Sequence, residues 1–308
     1  MTPPVKLVHI RCRTIAVVTA LLPLSSFLMC IFYSLMFQFK QVTATHCQVA
    51  NLLPSISAAI GSYTPQRYIW RTGIGLHAAP RLLVSTMYRR YYAAMLADTP
   101  KYQFLASAAF WLNVIENLCL LGLTNVSSSE NYPIHEKMFV TFMVSALLYM
   151  LVSCFIPTVA FKHMLSQAER KSLRTKKQLM ITSVFCSLLA TYFFLRHNWY
   201  CEPGVYTFFA LAEYIVVLCN IGFHMTAYWD FDDQQLYVSS PDHDPSDDKG
   251  HSPLVDYNYG GVPRIHGMLR DVELAARRRP LGFSVTTSAS NSYASSKDDG
   301  VARVLTLD

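Results

Sequence analysis

The chain has 308 residues, of which 52% are hydrophobic and only 15% charged, with a formal net charge of +6. Soluble domains carry about a quarter charged residues, so this composition excludes an ordinary soluble domain and, over most of the length, a disordered chain. Eight Cys are too sparse for a disulfide scaffold, and 12 Gly with 15 Pro exclude a collagen-like repeat.

A membrane-crossing helix needs about 20 mostly apolar residues. Six stretches qualify in chain order: 14–37, 68–88, 104–123, 138–161, 179–195 and 205–229. The first is longer than a signal-peptide core and is read as a retained anchor. The second is the most polar, interrupted by Arg71, Gly73, Gly75, His77, Pro80 and Arg81. The expected fold is therefore all-α: a six-helix transmembrane bundle over residues 1–235, followed by a disordered cytosolic tail, 236–308, rich in Asp, Ser, Gly and Pro.

Orientation follows from Lys and Arg in the short connections. The N-terminal segment, the connection after the second span and the one after the fourth carry twelve such residues, against four in the alternate connections. Both termini are expected in the cytosol. The sequon Asn125-Val126-Ser127 then falls on the lumenal side as a possible glycosylation site. Cys47 and Cys201 are the cysteines in lumenal connections, where a disulfide is possible. The basic balance reflects these flanks and Arg277-Arg278-Arg279, with no nucleic-acid partner implied.

Polar groups at mid-membrane depth are costly and therefore face a bundle interior or a wet cavity. Asn113, Glu116 and Asn117 lie at i, i+3 and i+4 on the third span, one helical face. Glu213, Asn220 and His224, spaced by seven and four residues, share a face of the sixth. Arg71 and His77 accompany Gly73 and Gly75, which permit close helix approach. Polar faces of three spans should thus meet. The structural reading is interhelical hydrogen bonding. The functional reading makes Glu116, Glu213 and His77 catalytic acid–base candidates and Asn113, Asn117, Asn220 and His224 substrate-binding ones.

The connection from Arg196 to Gly204 adds Arg196, His197 and Glu202, candidates to meet a phosphate, against a reading as a rigid turn. There is no Gly-x-Ser-x-Gly elbow, Walker A loop, Cys-x-x-Cys or His-Glu-x-x-His pattern, and no metal site is expected. His251 and Asp256 match a two-residue acyltransferase spacing by chance, in the tail, and His197 with Glu202 is a conservative variant of it.

Several strings carry a resemblance: Leu53 to Gly61, Pro65 to Tyr68, Gly75 to Arg81, Glu116-Asn117-Leu118, Val126 to Glu136, Ser166 to Ser172 and, most extensively, Arg196 to Phe231. Together they resemble the post-GPI-attachment factor family within the Frag/DRAM-type group of multi-spanning membrane proteins, over roughly residues 1 to 235. The resemblance implies lipid remodelling of glycosylphosphatidylinositol (GPI) anchors, with a saturated stearoyl chain placed on the lyso-anchor. It implies a Golgi membrane location, with the endoplasmic reticulum as a second one. The partners it implies are GPI-anchored proteins, their lipid and other remodelling factors. It names no bound cofactor and leaves the acyl donor unknown. The protein would be either an acyltransferase or a lipid-presenting scaffold for a separate one. On the acyltransferase reading, Arg196 and His197 meet the phosphoinositol while Glu116, Glu213 and His77 surround the glycerol hydroxyl. A signalling role through the tail is a third reading.

Overall fold

The computed structural model describes residues 8–160, 165–232, 235–238, 265–267 and 305–306, in two compact units, 1–15 with 228–308 and 16–227. In the first unit, β1 (Val8–Arg11) pairs antiparallel with β2 (Gln235–Val238), which continues antiparallel to β3 (Ile265–Gly267) and then β4 (Leu305–Thr306). Beyond those strand residues, the segment 236–308 expected to be disordered, with His251 and Asp256, lies outside the described residues.

The second unit is helical, and its helices are continuous at their ends with residues of the first, 12–15 at the start of the first helix and 228–230 in the last turn. α1 (Cys12–Phe37) leads into a short α2 (Phe39–Val42) and α3 (Ile56–Gly61), then α4 (Gln66–Met95), α5 (Phe104–Asn125), α6 (Tyr132–Ala160), α7 (Gln167–Tyr200), α8 (Val205–Met225) and a last turn, α9 (Ala227–Asp230). Among the described residues, five helical segments, Cys12–Phe37, Pro100–Asn125, Tyr132–Ala160, Gln167–Tyr200 and Val205–Asp230, are long and apolar enough to cross a membrane. The expected second span, 68–88, differs. α4 is a 30-residue helix, about 45 Å at 1.5 Å per residue, yet its polar residues keep it below the apolarity of a lipid-facing crossing.

Helix ends also depart from the apolar windows, because backbone hydrogen bonding continues past the hydrocarbon boundary. Ser166 and Glu169 form a reciprocal cap that starts α7, so the basic residues Arg170 to Lys177, expected in a connection, occupy its first turns. At its other end α7 runs through Tyr200, which makes Arg196 to Tyr200 helical rather than loop. Cys201 then takes a left-handed conformation (φ 49°), and Gly204 (φ 76°) opens α8.

α7 packs along α8, and α5 lies along both α4 and α6. A core of Phe27 and Cys30 from α1, Ile56 from α3, and Trp70 and Ile74 from α4 joins the remaining elements, with Tyr214 and Val217 of α8 against it. At Gly73, a Cβ would meet Ser26 Oγ at 1.9 Å and the Leu22 carbonyl oxygen at 3.3 Å, so this glycine sets the approach of α1 to α4. Gly75, expected to share that role, has nothing within 4 Å of such a Cβ. The outward faces are apolar: Phe32 and Met36 of α1, and Ile181, Phe185 and Leu188 of α7, are all exposed, as lipid contact requires.

Candidate functional site

Arg81 of α4, Glu116 of α5, and Asn220 and His224 of α8 converge inside the bundle. Arg81 Nη2 lies 2.5 Å from Glu116 Oε1, and the two side chains are 3% and 0% exposed. The same Oε1 accepts from Asn220 Nδ2 at 2.7 Å and lies 3.3 Å from His224 Nε2. Arg81 Nη2 is also 2.6 Å from His224 Nε2. A guanidinium only donates, so this imidazole nitrogen is the acceptor and carries no proton. Tyr149 of α6 stacks on His224, with centroids 5.4 Å apart and planes 7° from parallel. Asn117 Nδ2 donates to the Ala78 carbonyl at 3.0 Å, tying α5 to α4.

Asn113, Glu116, Asn117, Asn220 and His224 therefore lie in one interior, with buried His77 beside it. Arg81 was missed as a functional residue, although its position four residues after His77 puts it on the same helical face. The arrangement makes Glu116 the anion of a buried ion pair in which Oε1 takes every contact, while Oε2 has no partner among the described residues. An ion pair excluded from water holds helices in one register, and Oε1, already accepting from Arg81 and Asn220, is poorly placed to take a proton from a substrate.

Glu213 is elsewhere. Seven residues from Asn220, it stands about 10 Å along α8 from that network, and its Oε2 accepts the backbone N–H of Ile56 at 2.9 Å. It caps the first turn of α3 together with Ser55, whose hydroxyl accepts from the Ala58 N–H at 3.2 Å. The expected grouping of Glu116, Glu213 and His77 around one hydroxyl does not occur, because α8 delivers Glu213 to a loop instead.

Three connections, 38–65, 126–131 and 201–204, knit together into a cap. Gly204 N–H donates to the Ala50 carbonyl at 3.0 Å, Leu52 N–H to Thr207 Oγ1 at 2.9 Å, and Cys47 is disulfide-bonded to Cys201. Arg196, expected to meet a phosphate, is taken: Nε and Nη2 donate to Glu202 Oε2 and Oε1 at 2.7 and 3.0 Å, and Nη1 to Tyr192 Oη at 2.8 Å. The hydrogen bonds from Arg196 hold the Glu202 carboxyl below the ordinary carboxylate range. His197 is fully buried, beside Tyr206 and His46, and neither ring nitrogen has a partner among the described residues. His46, Cys47 and Cys201 lie close enough to suggest a metal, but with both sulfurs bonded to each other the group offers one imidazole. Asn125 ends α5, exposed, its Nδ2 donating to the Leu121 carbonyl at 2.8 Å.

The cap also holds a small cleft, lined by Ser57, Arg67, Trp70, Arg71, Thr124 and His135 among others. Arg67 and Arg71, on successive turns of α4, are fixed by carbonyls: Nε of Arg67 donates to Gly61 at 2.8 Å, and Arg71 donates to Thr124 and Asn125 at 3.2 and 2.8 Å. Both face Glu130, at 4.0 and 3.4 Å. Hydrogen bonds from Ser127, backbone first, keep the Glu130 carboxyl below its ordinary range, with Arg71 and Arg67 adding to the effect. Sequence spacing gave no sign of this cleft, since its lining comes from separate segments.

Helices of this length and apolarity, with their charges paired inside, define a polytopic helical membrane protein. The Frag1/DRAM/Sfk1/Cwh43P N-terminal domain family matches residues 11–234, and the chain belongs to that family. Among curated relatives, Acyltransferase PGAP2 of Xenopus tropicalis is 50% identical over 235 residues, 76% of this chain and 93% of the relative. Post-GPI attachment to proteins factor 2 of Caenorhabditis elegans is 43% identical over 223 residues, 71% and 85% of the two chains. The protein of the same name from Drosophila pseudoobscura pseudoobscura is 48% identical over 210 residues, 68% and 82%. No solved structure matches.

Proposed function

We propose that this protein acts in the maturation of GPI-anchored proteins, at the reacylation of the lyso-anchor with a saturated stearoyl chain in the Golgi membrane. The observation that carries the reading is the likeness, over most of the length of each relative, to proteins named for post-GPI attachment and for acyl transfer. The cap supports it. With both termini cytosolic and α4 as a sixth crossing, the cap faces the lumen, where the anchor's phosphoinositol lies, and it presents two arginines beside a cleft. Pairing Arg81 with Glu116 is what lets so polar a helix stand in the membrane. GPI-anchored proteins, their lipid and other remodelling factors are the partners on this reading.

A second reading, a lipid-presenting protein serving a separate acyltransferase, is favoured by the pairing of Glu116 with Arg81 and the capping role of Glu213. Purified full-length protein in liposomes containing lyso-anchor and acyl donor separates the two. Turnover without other proteins makes it the enzyme. Restoration of stearate to anchors in knock-out cells, with no turnover in liposomes, makes it the presenter.

A further inference from the structure

Ser57 on α3 and His135 in the first turn of α6 lie 78 residues apart, yet Ser57 Oγ is 2.9 Å from His135 Nε2. The other imidazole nitrogen, Nδ1, is 2.8 Å from the Val126 carbonyl oxygen. A carbonyl only accepts, so Nδ1 carries the proton and Nε2 presents its lone pair to the serine hydroxyl. A nucleophile is thus hydrogen-bonded to a base that a third group orients, which is the geometric signature of an activated serine. Both residues line the cleft that holds Arg67 and Arg71. Thr124 Oγ1, buried at the same cleft, has no hydrogen-bond partner among the described residues. Two guanidiniums share the single carboxylate of Glu130, and the longer of the two approaches is 4.0 Å. The cleft therefore keeps positive charge that a phosphodiester would neutralise.

We propose that Ser57 and His135 form a nucleophile–base pair that transfers an acyl chain from a diacyl phospholipid to a lyso-lipid hydroxyl through an acyl-Ser57 intermediate. This deepens the reading above and rests on it for the acceptor's identity. Ser57 Oγ adds to the ester carbonyl of the donor while its proton passes to His135 Nε2. The bond between that carbonyl carbon and the glycerol oxygen breaks, and His135 returns the proton to the departing lysophospholipid. The acceptor hydroxyl then adds to the acyl-serine, giving its proton to His135. The serine ester bond breaks and Ser57 regains the proton. One ester is exchanged for another, and neither water nor a redox partner is consumed. Arginines beside the pair favour a phospholipid over a coenzyme A thioester, because a phospholipid's phosphorus lies a few bonds from its acyl ester whereas the thioester's phosphates lie at the end of a long arm.

The test uses full-length protein in liposomes containing phosphatidylcholine with a labelled stearoyl chain and lyso-phosphatidylinositol as acceptor. The same variants are expressed in knock-out cells, and a lipid-like fluorophosphonate reports the activated serine. Ser57→Ala is expected to abolish labelling and to lower transfer about 100-fold or more. His135→Gln should do the same while retaining the Cys47–Cys201 disulfide and normal expression, which separates loss of chemistry from loss of fold. Wild-type transfer by Ser57→Ala would overturn the pair and leave the remodelling reading standing. Transfer from stearoyl-coenzyme A but not from phospholipid would overturn the donor class. Wild-type protein that neither transfers in liposomes nor restores anchors in cells would take down both readings.

Discussion

Arg81 of α4 and Glu116 of α5 form an ion pair at 2.5 Å with almost no exposure to solvent, and Glu116 receives Asn220 on the same oxygen. Removing either charge strands the other in a low-dielectric interior, at a cost of about 3 to 5 kcal/mol. Arg81→Ala and Glu116→Ala are each expected to lower the melting temperature in detergent sharply. The double variant Arg81→Met with Glu116→Leu should be more stable than either single change. A double variant as unstable as the worse single one would mean that the pair is not what holds these helices together.

The two glycines of α4 give a contrast within one turn. A side chain at position 73 must displace Ser26 Oγ, 1.9 Å from the new Cβ, whereas position 75 faces open space. Gly73→Ala should force α1 and α4 apart and cost about 1 to 3 kcal/mol as overpacking. Gly75→Ala should be neutral or slightly stabilising through helix propensity. Folded yield of the two variants by size-exclusion chromatography checks the pair.

Glu213 accepts the Ile56 N–H at 2.9 Å and so anchors α3 to α8. Glu213→Ala leaves that donor unpaired, at about 1 to 3 kcal/mol, and should speed proteolysis within 43–65. Glu213→Gln keeps an acceptor oxygen and should leave both the loop and stearate incorporation close to wild type. Loss of incorporation in Glu213→Gln with a protease-resistant loop would instead restore the carboxylate to catalysis.

The Arg196–Glu202 contact has a defined pH window. Its carboxyl lies below the ordinary range because Arg196 donates to it. A depressed folded-state value means that the contribution is complete above the unfolded carboxylate value, about 4.3, and is lost as pH falls through the folded one. The stability difference between wild type and Glu202→Gln should therefore stay level from pH 8 to about pH 5 and vanish only in stronger acid. Thermal unfolding of both proteins across that range measures it.

Much of this was legible in the chain itself. Of the six apolar windows expected, five coincide with the helical segments among the described residues that are long and apolar enough to cross a membrane, since about 20 residues of hydrocarbon contact demand a mostly apolar composition. Helical spacing places Asn113, Glu116 and Asn117 on one face, and the structure buries all three. Those signals are local in sequence, set by the solvent and by the helical repeat. Partner choice is not. Whether Glu116 meets Arg81 or a substrate, whether Arg196 is open or held by Glu202, and whether Glu213 joins the buried network or caps α3 depend on helix rotation and loop path. The approach of Ser57 to His135 across 78 residues depends on them as well. Sequence determined that polar groups would be drawn inward from lipid, because the cost of leaving them there is the same for any fold. Only the tertiary structure decided which polar groups meet, because hydrogen bonds form over about 3 Å and that distance is fixed by packing between segments far apart in the chain.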